Sequence, residues 1–131
     1  HILLKKNPEY EKNVKLINEP LLPCDIKKVI GSLDMLITGR VHASVAATSQ
    51  CVPTVFVEYD RRVIYSDKMT GFSAQLGMEK FVCNPQDSEQ LKEKVAICYN
   101  QLNMVKSELE NIIPTIKEEA KNAFEIIKEI K

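Results

Sequence analysis

Two short apolar runs on either side of a small-residue helix constrain this chain more than anything else in it. Met35-Leu36-Ile37-Thr38 and Pro53-Thr54-Val55-Phe56-Val57 are apolar along nearly their whole length, and Ala43-Ser44-Val45-Ala46-Ala47-Thr48 lies between them. Strands that carry apolar side chains on both faces are buried on both faces, which is the condition of a parallel sheet. Parallel neighbours need a crossover, and the intervening helix supplies one. Right-handed crossovers place helices against the faces of such a sheet. The expectation is an α/β fold: a three-layer, Rossmann-like domain whose parallel sheet holds Met35–Thr38 and Pro53–Val57 side by side. With 131 residues and 44% hydrophobic side chains, the chain has the material for one core.

The rest of the chain fits around that unit. Ile2-Leu3-Leu4 reads as the end of a strand. Asn7 to Asn13 is polar, with Pro8 marking a break or a helix start, and Val14-Lys15-Leu16-Ile17 alternates weakly as a short strand. Glu19 to Pro23 holds two prolines and reads as a connection. Asp25 can cap a helix with Ile26, Val29 and Ile30 on its apolar side, ended by Gly31-Ser32. After Glu58-Tyr59-Asp60 the chain turns polar and helical as far as Leu76, with Gly77 as the stop. Phe81-Val82-Cys83 predicts a last short strand. Asp87 or Ser88 caps a long helix carrying Leu91, Val95, Leu102, Val105 and Leu109. Pro114 starts or kinks a further helix with Ile116, Ala120, Ala123 and Ile127 as its face. Residues 1–131 read as a single domain, with 88–131 as a helical C-terminal extension.

Composition excludes several classes of function. Lys+Arg 18 against Asp+Glu 18 leaves no net field to draw the chain to nucleic acid or an anionic membrane. No apolar run approaches the roughly 20 residues of a transmembrane helix. Cys24, Cys51, Cys83 and Cys98 form no C-x-x-C pair and the two histidines are far apart, so no metal and no cofactor is expected. The pattern suits free, mostly buried thiols in a reducing cytoplasm. No signal peptide is visible. The chain begins at His1 without a methionine, which reads as a piece of a longer protein or a remnant of cloning.

Chemistry is concentrated at Gly39-Arg40-Val41-His42, where the first apolar strand turns into the small-residue helix. In α/β proteins ligands bind at the carboxyl ends of strands, and a helix start adds free N–H groups that favour an anion. Arg40 can grip a phosphate or carboxylate with two parallel hydrogen bonds, and the N–H groups of Val41 to Ser44 can add to it. Two blander readings stand beside this one: Arg40 pairing with a local carboxylate, and His42 as a satisfied core residue.

The segment from Ile30 to Ala43, followed by Val52-Pro53-Thr54-Val55-Phe56-Val57-Glu58-Tyr59-Asp60 and more weakly by Phe72 to Met78, resembles the polysaccharide pyruvyl transferase family. The signature is an aspartate (Asp34) before a buried strand, then Arg-x-His-Ala, a small-residue helix, and a Val-Pro strand ending in Tyr-Asp. The resemblance implies the carboxyl-terminal half of a two-domain, GT-B-like enzyme, whose amino-terminal half lies outside this chain. It implies transfer of the pyruvyl unit of phosphoenolpyruvate to two hydroxyls of a sugar or glycan-lipid acceptor as a ketal, in cell-surface polysaccharide biosynthesis. Arg40 then binds an anion, and His42 serves as acid or base. Glu58, Tyr59, Asp60 and Ser44 join the substrate site, as does Arg62, which stands where family members often carry lysine; Arg61 replaces a proline. Loop capping or surface charge remains open for Glu58 and Asp60, as does sheet-edge packing for Tyr59. Arg61 and Lys68 read as surface. Two other functions fit the same chain: half of a GT-B glycosyltransferase or nucleotide-sugar epimerase, and a non-catalytic anion-binding domain.

Overall fold

The computed structural model describes residues 6–59 and 68–129. Among these residues three strands, β1 (Leu36–Thr38), β2 (Thr54–Val57) and β3 (Val82–Cys83), form one parallel sheet in the order β1-β2-β3. Leu36 lies beside Thr54, Thr38 beside Phe56, and Phe56 beside Val82. Among the described residues the α-helices of a turn or more are α1 (Pro23–Gly31), α2 (Val41–Thr48), α3 (Lys68–Gln75), α4 (Ser88–Asn100) and α5 (Leu102–Glu129). Short 3-10 turns cover Pro8–Tyr10 and Glu79–Phe81. The adjacent parallel pair and the last strand are as the sequence predicts, and the fold is the expected Rossmann-like α/β arrangement.

Alternation along β2 sorts the helices. Phe56 meets Phe72 of α3 edge-on, with ring centroids 6.2 Å apart. Leu36, Ala43 and Ala46 pack on Ile30, Ala47 and Val52, which joins α1 and α2 to the sheet. Val55 and Val57 point away from Phe56, and α4 packs against β2 and β3. Every residue of β2 is buried. β1 departs from the expected two-sided burial: Ile37 is 47% exposed. Among the described residues β1 is an edge strand, and α4 packs against β2 and β3. The outer edge of β3 is closed locally, because the N–H of Val82 donates to Glu79 and that of Asn84 donates to Gln90 Oε1 at 2.7 Å. An edge with its donors occupied offers little to a foreign strand.

α5 closes the amino edge of the sheet. Leu102, Asn103 and Lys106 border a concavity shared with Asp34, Cys51 and Pro53. Lys80 pairs with Glu108 at 3.4 Å, and Lys117 donates to the carbonyl of Ser49 at the end of α2. Val105, Leu109 and Ile113 join the main core with Phe81, Met78 and Leu76.

Several elements differ from expectation. Val14–Ile17 forms no strand; Val14, Leu16 and Ile17 are exposed, and a strand without a partner ladder is not stable. Asp25 is not the cap of α1. Pro23 occupies the first turn, where its fixed φ and missing N–H suit a helix start, so the helix begins earlier with Leu22 as N-cap. Asp25 instead pairs with Lys28 across one turn at 3.3 Å. The long helix after Asp87 breaks at Gln101, and Pro114 lies inside α5 rather than at its start. Pro114 is exposed, so water can serve the carbonyl it leaves unpaired, while buried Ile113 and Leu109 hold the helix through it. Ala120 and Ala123 are exposed, because the helix leaves the body of the domain after Ile116. The strand end expected at Ile2–Leu4 and the side chain of Ile127 lie outside the described residues.

α2 and α3 end alike. Val52 and Met78 donate back to Ala47 and Ser73 at 3.0 and 2.8 Å, around residues with positive φ: Cys51 (60°) and Gly77 (66°). This is the Schellman stop, which needs a left-handed residue. Nothing lies within 4 Å of a Cβ added at Gly77, so Gly77→Ala carries only the conformational cost. We expect that cost to be about 1 kcal/mol, and Leu109→Ala, buried at the amino edge, to cost about 2–5 kcal/mol. Urea denaturation of the two variants against the parent chain measures both.

Candidate functional site

All three strands run the same way, so their carboxyl ends share one edge, opposite the edge closed by α5. At the end of β1, Thr38 Oγ1 accepts the N–H of Arg40 at 3.1 Å, which turns the chain out of the sheet. Arg40 is the N-cap of α2 in extended conformation, φ −113° and ψ 120°, and its carbonyl accepts the N–H of Ser44 at 3.0 Å. No side chain caps this helix start. The N–H groups of Val41, His42 and Ala43 belong to the first turn, where no carbonyl of the helix can reach them. Arg40 and His42 are both exposed at this point. Neither is directed into the core.

Ser44 is placed differently. It is fully buried; its hydroxyl donates to the carbonyl of Val41 at 2.7 Å and contacts Met69 Sδ at 3.9 Å. Its N–H is held by Arg40. Ser44 therefore locks the first turn of α2 against α3 and has no group left to offer a ligand at the helix start.

Tyr59 and Glu58, at the end of the central strand, diverge. The Tyr59 ring lies against Gly39, at the place where a Cβ on residue 39 would have to sit. The φ of Gly39 is not positive, so what the glycine supplies is room for the ring, which a side chain at residue 39 would displace. The ring is otherwise 64% exposed. Glu58 turns toward α3: its Oε2 accepts the N–H of Thr70 at 2.8 Å and the Thr70 hydroxyl at 3.1 Å. A carboxylate at a helix start satisfies free donors and complements the dipole, so the capping reading of Glu58 is the geometry observed.

Beyond Glu58 a groove of about 540 Å³ opens, bordered by Thr70, Asn84, Gln86, Asp87 and Gln90. It does not include Arg40 or His42. Asp87 caps α4 by accepting the N–H of Gln90 at 2.9 Å, as the sequence predicts, and Asn84 Oδ1 accepts the N–H of Gln86 at 2.9 Å. Sequence reasoning missed Thr70, Asn84, Gln86 and Gln90 as groove residues. The Asn-Pro-Gln-Asp turn at 84–87 was the available signal, since Asn-Pro favours a turn after a strand end. His1, Asp60, Arg61 and Arg62 lie outside the described residues. Lys68 is exposed, and Asp34 sits in the bend before β1, also exposed.

Residues 2–61 match the polysaccharide pyruvyl transferase family. The resemblance carried by Arg40, His42 and the Val-Pro strand holds over that span, a little under half of the chain. The family match takes in the β1–α2 junction, Glu58 and Tyr59, and leaves α3 to α5 outside it. No curated protein matches the chain, and no solved structure does. Among the described residues, no cluster of three or more His, Cys, Asp or Glu side chains could hold a metal ion, and no helix is long and apolar enough to cross a membrane.

The four cysteines are free. Burial raises the thiol pKa of Cys83, opposed weakly by Lys94, and pushes that of Cys98 up to about 11, opposed by Lys80. Thiolate is the reactive form, so neither is a nucleophile near neutral pH. Native chain treated with iodoacetamide is expected to label Cys24 first and to leave Cys83 and Cys98 unmodified until unfolded; mass spectrometry reads the sites. The Cys98 proton is held more tightly in the folded chain than in the unfolded one. Its contribution to stability is therefore complete below the ordinary thiol pKa of 9.0 and is lost as pH rises toward about 11.

Proposed function

We propose that this chain is the carboxyl-terminal half of a polysaccharide pyruvyl transferase of the GT-B kind, a cytoplasmic enzyme of cell-surface polysaccharide synthesis. In this reading residues 1–131 are one domain, 88–131 being its helical extension, and an amino-terminal domain of the same protein supplies the facing wall of the cleft. The observation that carries the reading is the pair Arg40 and His42. Both are exposed beside the uncapped start of α2, at the carboxyl end of β1, within the span that matches the family.

Phosphoenolpyruvate brings a phosphate and a carboxylate. Arg40 offers a planar fork to one of them, and the first-turn N–H groups of α2 offer three further donors. Ketal formation needs a proton delivered to the methylene carbon. A sugar hydroxyl then adds to the neighbouring carbon, which still bears the phosphate oxygen, and gives up its proton; the C–O bond to phosphate breaks, and a second hydroxyl adds to the same carbon and gives up its proton, leaving the ketal and free phosphate. An imidazole can give a proton in one step and take one in the next, which is the role assigned to His42. Ser44 serves indirectly, by fixing the turn that presents those donors. Asp60 and Arg62 stand next to Tyr59 in sequence and complete the substrate set, Arg62 as a second anion partner. An open edge, with Arg40 and His42 outside the groove, supports a site that needs a second wall.

In the full-length protein, Arg40→Ala is expected to weaken use of phosphoenolpyruvate by about 2–4 kcal/mol, with Arg40→Lys restoring only part of the loss because an ammonium lacks the planar fork. His42→Ala is expected to lower turnover by a factor of about 10²–10⁴. The isolated 131-residue chain is expected to form no product. Phosphate release and pyruvylated product, followed with phosphoenolpyruvate and the acceptor glycan, measure all three. Undiminished turnover by His42→Ala removes histidine from the mechanism.

A further inference from the structure

We infer that the ring of Tyr59, seated on Gly39, is a shelf on which the sugar acceptor lies, and that the groove beyond Glu58 receives hydroxyl groups of the same ligand. This rests on the pyruvyl-transfer reading above and divides the carboxyl edge between two ligands by charge.

Gly39 is the first observation. Its backbone does not occupy the left-handed region, and the one thing its missing side chain makes room for is the Tyr59 ring. The ring thus has a built seat, yet 64% of the residue faces solvent at the centre of the edge where the strands end. The face of an aromatic ring carries partial negative charge. It repels carboxylate and phosphate, and attracts the polarised C–H bonds that line one face of a pyranose. A shelf of this kind suits a sugar and disfavours phosphoenolpyruvate.

The groove is the second observation. Among the described residues that border it there is no lysine or arginine; Glu58, Glu79, Asp87, Asn84, Gln86, Gln90 and Thr70 supply carboxylate, amide and hydroxyl groups. Hydroxyl-rich neutral ligands are recognised by such groups, whereas an anion gains nothing from three carboxylates. Its volume of about 540 Å³ lies within the range of small-ligand sites. The side chain of Tyr59 turns to the β1 side of the central strand and that of Glu58 to the β3 side. A sugar lying across the end of β2 meets both, with the anion site of Arg40 at one end.

Saturation-transfer NMR on the chain tests this, with methyl α-glucopyranoside, methyl β-galactopyranoside, methyl α-mannopyranoside and phosphoenolpyruvate as probes. At least one glycoside is expected to receive transfer, strongest at the ring C–H protons of one face. The signal is expected to survive Tyr59→Phe and to fall at least fivefold in Tyr59→Ala and in Gly39→Ala, which pushes the ring from its seat. Gln86→Ala is expected to weaken it further along the same ligand. Tyr99→Ala, an exposed tyrosine on α4, is the control and is expected to change nothing; circular dichroism checks that each variant is folded. No transfer to any of the three glycosides overturns the shelf, as does equal transfer in folded Tyr59→Ala, or displacement of the glycoside by phosphoenolpyruvate. Glycoside binding without phosphoenolpyruvate binding supports the shelf and counts against the assignment of Arg40, so the two failures are told apart.

Discussion

Complete burial of β2 is the constraint on which the rest of this structure depends. The strand has neighbours on both sides, and the connections before and after it cross back along the sheet, so all three strands are parallel. Parallel strands bring their carboxyl ends together. The candidate site is therefore a by-product of core formation: Arg40, Tyr59 and Asn84 follow three different strands and meet along one edge because Val55, Phe56 and Val57 had to be covered.

The two edges of the sheet are treated in opposite ways. At the amino edge α5 supplies Val105, Leu109 and Ile113 to the core and ties itself to the turn before β3 through Lys80–Glu108 and to the end of α2 through Lys117. At the carboxyl edge polar side chains spend their hydrogen bonds on nearby backbone: Thr38 on Arg40, Asp87 and Asn84 on the start of α4, and, across to α3, Glu58 on Thr70. These bonds fix the turns that follow the strands and leave several side chains of those turns exposed. They leave Arg40, His42 and Tyr59 as the exposed groups with chemistry to offer. Rigid supports beneath exposed functional groups are what a binding edge requires.

The departures from expectation share one cause, which is that local patterns do not report what lies beside them. Ile37 belongs to an apolar run yet is half exposed, because burial of an edge strand depends on whether a helix reaches it. Pro114 could start or kink a helix, and the structure places it inside α5, where flanking Leu109 and Ile113 are held in the core while the proline faces water. Val14–Ile17 has strand-like residues without a strand to pair with. Ser44 looked like part of an anion site from its position at a helix start, and its rotation about the helix axis turned it to the interior instead.

By itself the sequence determined the parallel βαβ unit, the stops at Gly31 and Gly77, the cap at Asp87, and the Arg-x-His junction with its likeness to the family that residues 2–61 match. These are local features: apolar periodicity, turn chemistry and capping act over a few residues, so adjacent letters encode them. Only the tertiary structure decided that Tyr59 rests on Gly39, that Glu58 is bound to Thr70, that α5 seals one edge of the sheet, and that a groove follows the ends of β2 and β3. Each of those joins residues 12 or more positions apart, or sets the direction of a side chain, and both depend on how layers stack rather than on which residue follows which.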